Sequence, residues 1–530
     1  VTTNDFGSYN GKFILPENLL NGEFRISDDS TESEQRFSVE EYKRPKFHVE
    51  YETLKGSYRL NDSIRITGSA QAYAGNNIDG AVVKYRVVRQ ARFPYPWLSW
   101  RWGVPRSSSQ EISHGEIKTN ADGKFFITFA AIPDKSIDKK TEPVFDYSVS
   151  ADVTDINGET RSGQTNVSVG YKSLNLSISL PYGDNLVADS LKNIFIKTEN
   201  LSGEFEPTKV NVTIYKLKSP ERLIRQRYWQ QPDEFVMSKE EYIKNFPNDE
   251  YRDETKKETW EKESKVFESS DSTKEDSRYK IQGASFRAGW YVIEVNAKDK
   301  YGEDVKNIKF IQLFDPKTGN PANPQYNWVF DNYDITEPGK KISAEVGSSA
   351  KDVFVIQQAD GRQFLVDSIK APSIHQSSDN YSFFTINNEK KSTDFTITEN
   401  DRGGFGVFYA FVKNNRFYSS NKTISVPWSN KELNISYETF RDKTLPGSEE
   451  KWKVKITGYK KDKVAAEVLT SMYDASLDQF KKQSWSRPDI YNYYNQRSVW
   501  GNQYNFSYLH SLGKNIYDQN YKQLEKEYDK

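Results

Sequence analysis

Strand-length segments with alternating polar and apolar residues recur along the chain, and short turn sequences separate them. Asp79-Gly80 precedes the alternating run Ala81–Val88, Asp122-Gly123 precedes Lys124–Phe129, and Asn157-Gly158 follows Tyr147–Thr154. Asp-Gly and Asn-Gly between alternating runs are strong hairpin signals, because both residues tolerate the positive φ angles of a tight two-residue turn. The pattern therefore predicts antiparallel β-hairpins.

Composition favours the same class of fold. Aromatic residues make up 14% of the chain although only 35% is hydrophobic, and there are only 2 methionines. Helical cores rely on Leu, Met and Ala, whereas aromatic and β-branched residues fit the pleated, half-buried surface of a strand. We expect an all-β protein of tandem Ig-like or fibronectin-like antiparallel sandwiches.

A chain of 530 residues is too long for a single small sandwich. Breaks in the strand pattern place linkers near residues 44, 172, 316 and 429. The predicted segments are 1–43 (the last strands of a sandwich), 44–171, 172–315, 316–428 and 429–530. Within the third segment, residues 218–277 turn polar and charged, and Ser238–Glu241 forms a capping box. We expect a short helical insertion with a partly mobile loop there.

Several classes of protein are excluded or disfavoured by the residues present. The chain has no cysteine, which excludes disulfides, zinc–thiolate or iron–sulfur sites and a cysteine nucleophile in this stretch. Its 74 basic residues balance 75 acidic ones, so nucleic acid is not an expected partner. No apolar run is long enough to span a membrane, and Val1–Asp5 does not resemble a signal peptide. We interpret the chain as an interior fragment of a longer protein.

No catalytic or metal site is evident in the sequence. The histidines are far apart along the chain: His48, His114, His375 and His510. Asp152, Asp155, Asn157 and Glu159 have the composition of a calcium loop, but Asn157-Gly158 already accounts for them as a hairpin turn. The glycine cluster Gly403-Gly404-Phe405-Gly406 leads into a strand rather than a helix, which is not the context of a phosphate-binding loop. We predict a protein that is not an enzyme and needs no cofactor.

One aromatic segment is a weak candidate for partner binding. Trp97, Trp100 and Trp102 lie within six residues, among prolines, between two predicted strands. Three clustered indoles are suited to stacking on sugar rings or to a protein contact. The favoured alternative is that these rings fold back over their own domain or its neighbour.

Two regions of the chain resemble the bacterial alpha-2-macroglobulin family. Phe37–Phe47, which reads FSVEEYKRPKF, resembles the junction between two macroglobulin domains, and Thr3–Pro16 resembles the strand pair that precedes it. Downstream, Thr119–Gly123 and Ala151–Thr160 follow the pattern of the next domain, and Ala466–Asp478 resembles the domain that hosts the bait region. From about 174 to 430 the resemblance is in domain order only.

The resemblance implies tandem macroglobulin-type sandwiches from a Bacteroidetes-type family member, in a fragment that lacks the thioester region. It implies an envelope protein, periplasmic or at the cell surface and associated with the outer membrane, that traps or inhibits proteases or serves as a defence scaffold. The expected partners are proteases or other envelope proteins, and the resemblance is compatible with a lipid anchor upstream. Whether the full protein has a thioester stays open.

Two other functions are compatible with tandem sandwiches, because a fold does not determine a function. One is a cell-surface adhesion or glycan-binding array, in which the tryptophan segment would bind the ligand. The other is a structural subunit of a larger outer-membrane or envelope complex.

The tail from Trp485 onward lies near the family's bait position and is dense in Tyr, Asn and Gln. So many rings are costly to expose, so we expect the part up to about Phe506 to pack on neighbouring domains. The charged end, with Lys514, Lys522 and Lys526, is predicted to be the more protease-accessible piece, with the insertion around Lys256 as a second site.

Overall fold

The fold was obtained as a computed structural model. It describes residues 2–15, 22–28, 33–39, 44–93, 108–181, 183–227, 231–331, 335–361, 381–439, 441, 444–445, 447–459, 465–479, 482, 484–485 and 491–494. These residues form antiparallel sheets with one parallel strand pair, which confirms the prediction of an all-β protein of tandem sandwiches. The chain divides into two compact units, one containing residues 1–219, 256–318 and 428–490 and the other containing 220–255, 319–427 and 491–530.

The first sandwich, in the first unit, has one three-stranded and one four-stranded sheet. Its strands are β3 (Phe47–Tyr51), β4 (Ser63–Ala72), β5 (Val82–Arg92), β6 (Gln110–Lys118), β7 (Lys124–Ala130), β8 (Val144–Thr154) and β9 (Thr160–Gly170). The sheet orders are β3-β4-β7 and β6-β5-β8-β9. Alternate residues of β4, β7 and β8 point inward, so Ile66, Ile127 and Val149 meet in a closed apolar core.

The second sandwich belongs to the same unit and repeats this plan with a larger second sheet. Its strands are β10 (Leu174–Ser179), β11 (Asn185–Val187), β12 (Asn193–Asn200), β13 (Lys209–Leu217), β14 (Lys262–Ser272), β15 (Arg278–Lys280), β16 (Gly289–Lys298) and β17 (Asp304–Phe314). The sheet orders are β10-β12-β15 and β11-β17-β16-β13-β14, with β11 parallel to β17. Ile194, Val212 and Ile293 lie in its core.

The predicted insertion, 218–277, is only partly an insertion. Helix α1 (Lys239–Asn245) begins where the capping box predicts, and the Glu241 N–H donates to Ser238 Oγ at 3.2 Å. The second half of the range contains strand β14, which pairs with β13 along its length. The expectation of a loop there is wrong, because β14 is a polar edge strand that lacks the apolar alternation of a strand buried on one face.

Residues 220–255, which include α1, are part of the second unit. Arg225 forms a bidentate pair with Asp249, and its Nη1 donates to the Asn414 carbonyl. Leu223 packs against the core of the third sandwich. This excursion from the second sandwich is therefore an ordered structure that contacts the third.

The third sandwich, in the second unit, again pairs a three-stranded with a four-stranded sheet. Its strands are β18 (Trp328–Asp331), β19 (Lys341–Ser348), β20 (Val353–Asp360), β21 (Tyr381–Ile386), β22 (Glu389–Thr396), β23 (Phe405–Lys413) and β24 (Arg416–Ile424). The sheet orders are β18-β19-β22 and β21-β20-β23-β24. Its core includes Val355, Phe395 and Val407.

Two further hairpins belong to the first unit: β1 (Gly22–Asp28) with β2 (Ser33–Val39), and β25 (Leu433–Thr439) with β26 (Lys453–Gly458). Every residue of β25 is exposed. Short 3₁₀ turns complete the described structure, at Lys139–Thr141, Ala188–Ser190, Lys257–Thr259, Glu399–Asp401, Ser429–Lys431 and Ala475–Gln479. No described helix is long and apolar enough to cross a bilayer.

Candidate functional site

The same five-residue turn occurs five times among the described residues of the first unit. It begins with Asn or Asp and has glycine at its fourth position: Asn4–Ser8, Asn120–Lys124, Asp155–Glu159, Asn200–Glu204 and Asp299–Glu303. In each turn one side-chain oxygen of the first residue accepts the backbone N–H groups of the third and fifth residues, at 2.8–3.1 Å. The glycines have φ angles of 70–90°, which disfavour other residues.

In three of these turns the first side chain also binds a distant segment through its second terminal atom. Asn200 Nδ2 donates to the Gly56 carbonyl at 2.8 Å, and Asn4 Nδ2 donates to Glu467 Oε1 at 2.7 Å. Asp299 Oδ2 instead accepts from the Ser173 N–H at 2.9 Å and from its hydroxyl at 3.0 Å. The distant partner thus accounts for the identity of the first residue of the turn. A carbonyl or carboxylate partner needs the N–H donor of Asn, whereas an N–H or hydroxyl partner needs the second acceptor oxygen of Asp.

Two of these turns connect the first and second sandwiches. The Asn200 turn reaches the loop before β4, and the Asp299 turn holds the linker at Ser173. The hydroxyl of Tyr301, in the Asp299 turn, lies 2.7 Å from Asp62 Oδ2 and 3.0 Å from the Ser57 carbonyl of the first sandwich. We call this set of contacts the joint.

The contacts at the joint lower the pKa values of two carboxyl groups, Asp62 and Asp299, and raise the pKa of Tyr301. Burial opposes ionisation of Asp62, but hydrogen bonds from the Arg59 N–H, the Tyr301 hydroxyl and the Arg59 guanidinium outweigh it and lower the pKa of the carboxyl. Burial, together with the bond to Asp62, raises the pKa of Tyr301 to about 12. For Asp299, burial again opposes ionisation, and the bonds from Ser173, Glu303 and Tyr301 lower the pKa.

Segments that resemble the macroglobulin family also meet in this unit. The Asn4–Glu467 bond joins the Thr3–Pro16 strand pair to the Ala466–Asp478 motif. Arg44, in the junction sequence, forms an ion pair with Asp474 at 3.4 Å. Just after it, the Lys46 N–H donates to Glu159 Oε1 at 3.0 Å. These contacts link four of the family-like segments: Thr3–Pro16 and Phe37–Phe47 each contact Ala466–Asp478, and Phe37–Phe47 also contacts Ala151–Thr160.

The structure does not test the binding and protease-accessible residues that were predicted from the sequence. Trp97, Trp100 and Trp102 lie outside the described residues, as do Lys514, Lys522 and Lys526. The segment around Asp155 is the predicted hairpin turn, in which Asp155 Oδ1 accepts the backbone N–H groups of Asn157 and Glu159. Across the described part of the chain, no group of three or more His, Cys, Asp or Glu residues is arranged to hold a metal ion.

An exposed row of aromatic rings on the third sandwich was not predicted. Phe354, Phe383 and Tyr381 are 56%, 60% and 36% exposed. The Phe354 and Phe383 ring centroids are 6.0 Å apart and those of Phe383 and Tyr381 are 6.5 Å apart, with nearly parallel planes. The signal in the sequence is the alternation of Tyr381 and Phe383, which puts both rings on one face of a strand.

No family model matches the chain, and no curated protein matches it. Among solved structures it resembles the native alpha-2-macroglobulin of Escherichia coli, with 13% identity and a TM-score of 0.25 over 84% of this chain and 27% of that one. Salmonella alpha-2-macroglobulin reacted with methylamine is 10% identical, with a TM-score of 0.26 over 83% and 27%. A tandem repeat of a large adhesion protein is 12% identical, with a TM-score of 0.17 over 77% and 83%.

These TM-scores are too low to support an inference about activity. The chain also spans only 27% to 38% of the length of the alpha-2-macroglobulin structures that it matches.

Exchanging the amide of Asn200 for a carboxylate tests the joint. Asn200→Asp keeps the turn but places a carboxylate oxygen against the Gly56 carbonyl, so we expect a loss of about 1–3 kcal/mol of stability. Urea unfolding of the variant and the wild type measures the loss. Asn120→Asp is the matched control, because Asn120 begins the same turn at an exposed position, and it should change stability by less than about 0.5 kcal/mol. Equal effects of the two substitutions would show that the Asn200–Gly56 bond contributes nothing to stability.

Acid should weaken the joint. The pKa values of Asp62 and Asp299 are lower in the folded protein than their ordinary values, so their contribution is complete above the ordinary value and is lost as pH falls through the folded one. We expect Asp299→Asn to lower the melting temperature at pH 5–7, and the difference from the wild type to shrink below about pH 4. Thermal unfolding from pH 7 to pH 3 measures this, and a difference that stays constant at pH 3 contradicts it.

Proposed function

We propose that this chain is part of an alpha-2-macroglobulin-like envelope protein that traps or inhibits proteases and has no catalytic activity of its own. The observation that carries the proposal is the convergence of the three family-like regions, through Asn4 with Glu467 and Arg44 with Asp474. If the resemblance of these three short stretches to the family arose by chance, there would be no reason for the stretches to contact one another in the folded protein.

The sandwich arrangement supports a scaffold role. The first two sandwiches are joined through side chains that the turns themselves orient, so the relative position of the two domains is defined by hydrogen bonds at Asn200, Asp299 and Tyr301. A trap that responds to cleavage needs rigid parts that can move as bodies. We propose proteases or other envelope proteins as partners, in the periplasm or at the cell surface near the outer membrane, with a lipid anchor upstream. The Bacteroidetes-type assignment remains a prediction.

Limited proteolysis tests where a protease acts. Trypsin should cut first after Lys514, Lys522 or Lys526, because a scissile segment must fit extended into the protease and hydrogen-bonded sheet cannot. The insertion near Lys256 should be cut later, because its Arg225–Asp249 pair orders it. Mass spectrometry of the fragments over time gives the order. First cuts within 44–171 contradict the proposal.

Substrate size tests trapping directly. A protease incubated with the protein should lose activity on casein while it keeps activity on a small chromogenic peptide, because an enclosing scaffold excludes only large substrates. The comparison uses the same protease without the protein, and the full-length protein if this chain is part of one. Unchanged hydrolysis of both substrates contradicts trapping, and equal loss of both indicates that the active site itself is blocked.

The exposed ring row favours a second candidate function, a glycan-binding surface array. Nearly parallel exposed rings on a sheet face are suited to stacking on sugar faces. If this function is correct, Phe383→Ala should lower the affinity for a bound glycan at least tenfold on a glycan array followed by calorimetry. Phe126→Ala, which removes a 38% exposed ring from the first sandwich, is the control and should have no effect. Absence of any glycan bound by the wild type rules the function out.

A further inference from the structure

The outer sheet of the third sandwich has a narrow slot where β20 and β23 pair. Asp360, the last residue of β20, is in register with Gly406 of β23, and Gly361 follows directly with a φ angle of 82°. Gly406 on β23 and Gly361 just after the end of β20 leave a depression in a surface that side chains would otherwise fill. The Phe408 ring, 3% exposed, lies beside Gly406.

The side chain of Tyr494 occupies this slot. Its hydroxyl donates to Asp360 Oδ2 at 2.9 Å, and its backbone N–H donates to the Gly403 carbonyl at 2.9 Å. The ring lies so close to both glycines that a Cβ at Gly361 would be 2.6 Å from Tyr494 Cδ2, and one at Gly406 would be 2.8 Å from Tyr494 Cζ. Real Cβ atoms do not approach other atoms so closely, so only glycine accommodates the ring at these positions.

The slot is selective for a tyrosine side chain. The glycines accept a flat ring, and the Asp360 carboxylate at the far end needs a hydrogen-bond donor, which phenylalanine lacks. Tyr493, the preceding residue, points away and is 57% exposed. The Tyr494 contact joins segment 491–494 to a residue that lies 134 positions away in the sequence.

We propose that this slot is a docking site for tyrosine that latches segment 491–494 to the third sandwich and so controls protease access to the chain that follows. The bond after Arg497 lies three residues beyond Tyr494. A protease binds several residues on each side of the bond it cuts, so it competes with the slot for this segment. The inference rests on the proposed function only where it treats the following chain as the protease target.

Two substitutions break the latch from opposite sides. Tyr494→Ala removes the ring, and Gly406→Ala fills the slot while it leaves the tyrosine in place. Gly406 does not have a positive φ, so alanine suits its backbone and conflicts only with the rings. We expect both variants to speed tryptic cleavage after Arg497 by about tenfold, and to speed hydrogen exchange of the Tyr494 amide by a similar factor.

Tyr493→Ala is the matched control and should change neither rate. Tyr494→Phe, which loses only the bond to Asp360, should fall between the wild type and Tyr494→Ala. The melting temperature of each variant reports whether the sandwich itself still folds, and Tyr494→Ala carries the test if Gly406→Ala unfolds it. Wild-type rates in Tyr494→Ala, or equal acceleration in Tyr493→Ala, overturn the proposal. If the variants change the cleavage and exchange rates as expected but the protein does not trap proteases, the proposed function is refuted and the latch is not.

Discussion

The central interaction in this structure is the double use of one side chain at the start of a five-residue turn. One oxygen of Asn or Asp closes the turn, as at Asn200 and Asp299, and the second terminal atom binds a neighbouring segment. The turn thereby orients the group that makes the interdomain bond before the domains meet. Because that orientation is already fixed, little additional conformational entropy is lost when the bond forms.

This arrangement connects the first and second sandwiches, which have separate apolar cores. The joint includes directional hydrogen bonds made by Asn200, Asp299 and Tyr301, which help to define its geometry. The slot for Tyr494, inside the second unit, also combines a shape match with directional bonds, one from the tyrosine hydroxyl and one from its backbone N–H.

Much of the fold was predictable, because strand alternation and turn residues act over short range. Asn157-Gly158 lies in a hairpin turn between the paired strands β8 and β9, as expected. The hairpins expected at Asp79-Gly80 and Asp122-Gly123 are wrong, because the strands on either side of each turn belong to different sheets. A tight turn reverses the chain locally but does not determine which sheet the next strand joins. Strand β14 was missed, because an edge strand exposed to solvent does not need apolar alternation. The reason why one turn begins with Asn200 and the other with Asp299 could not be predicted from sequence. Their hydrogen-bond partners lie 144 and 126 residues away. The role of Gly406 depends in the same way on Tyr494, which no local pattern indicates.

The most direct test of this account is a distance measurement across the joint. The absence of cysteine allows two spin labels to be placed without background, at the exposed strand positions Thr128 and Ser270 of the first and second sandwiches. Pulsed electron resonance on the doubly labelled protein at pH 7 should give one narrow distance distribution. A broad or multiple distribution would show that the two sandwiches move independently, and would contradict the claim that the turn side chains join them.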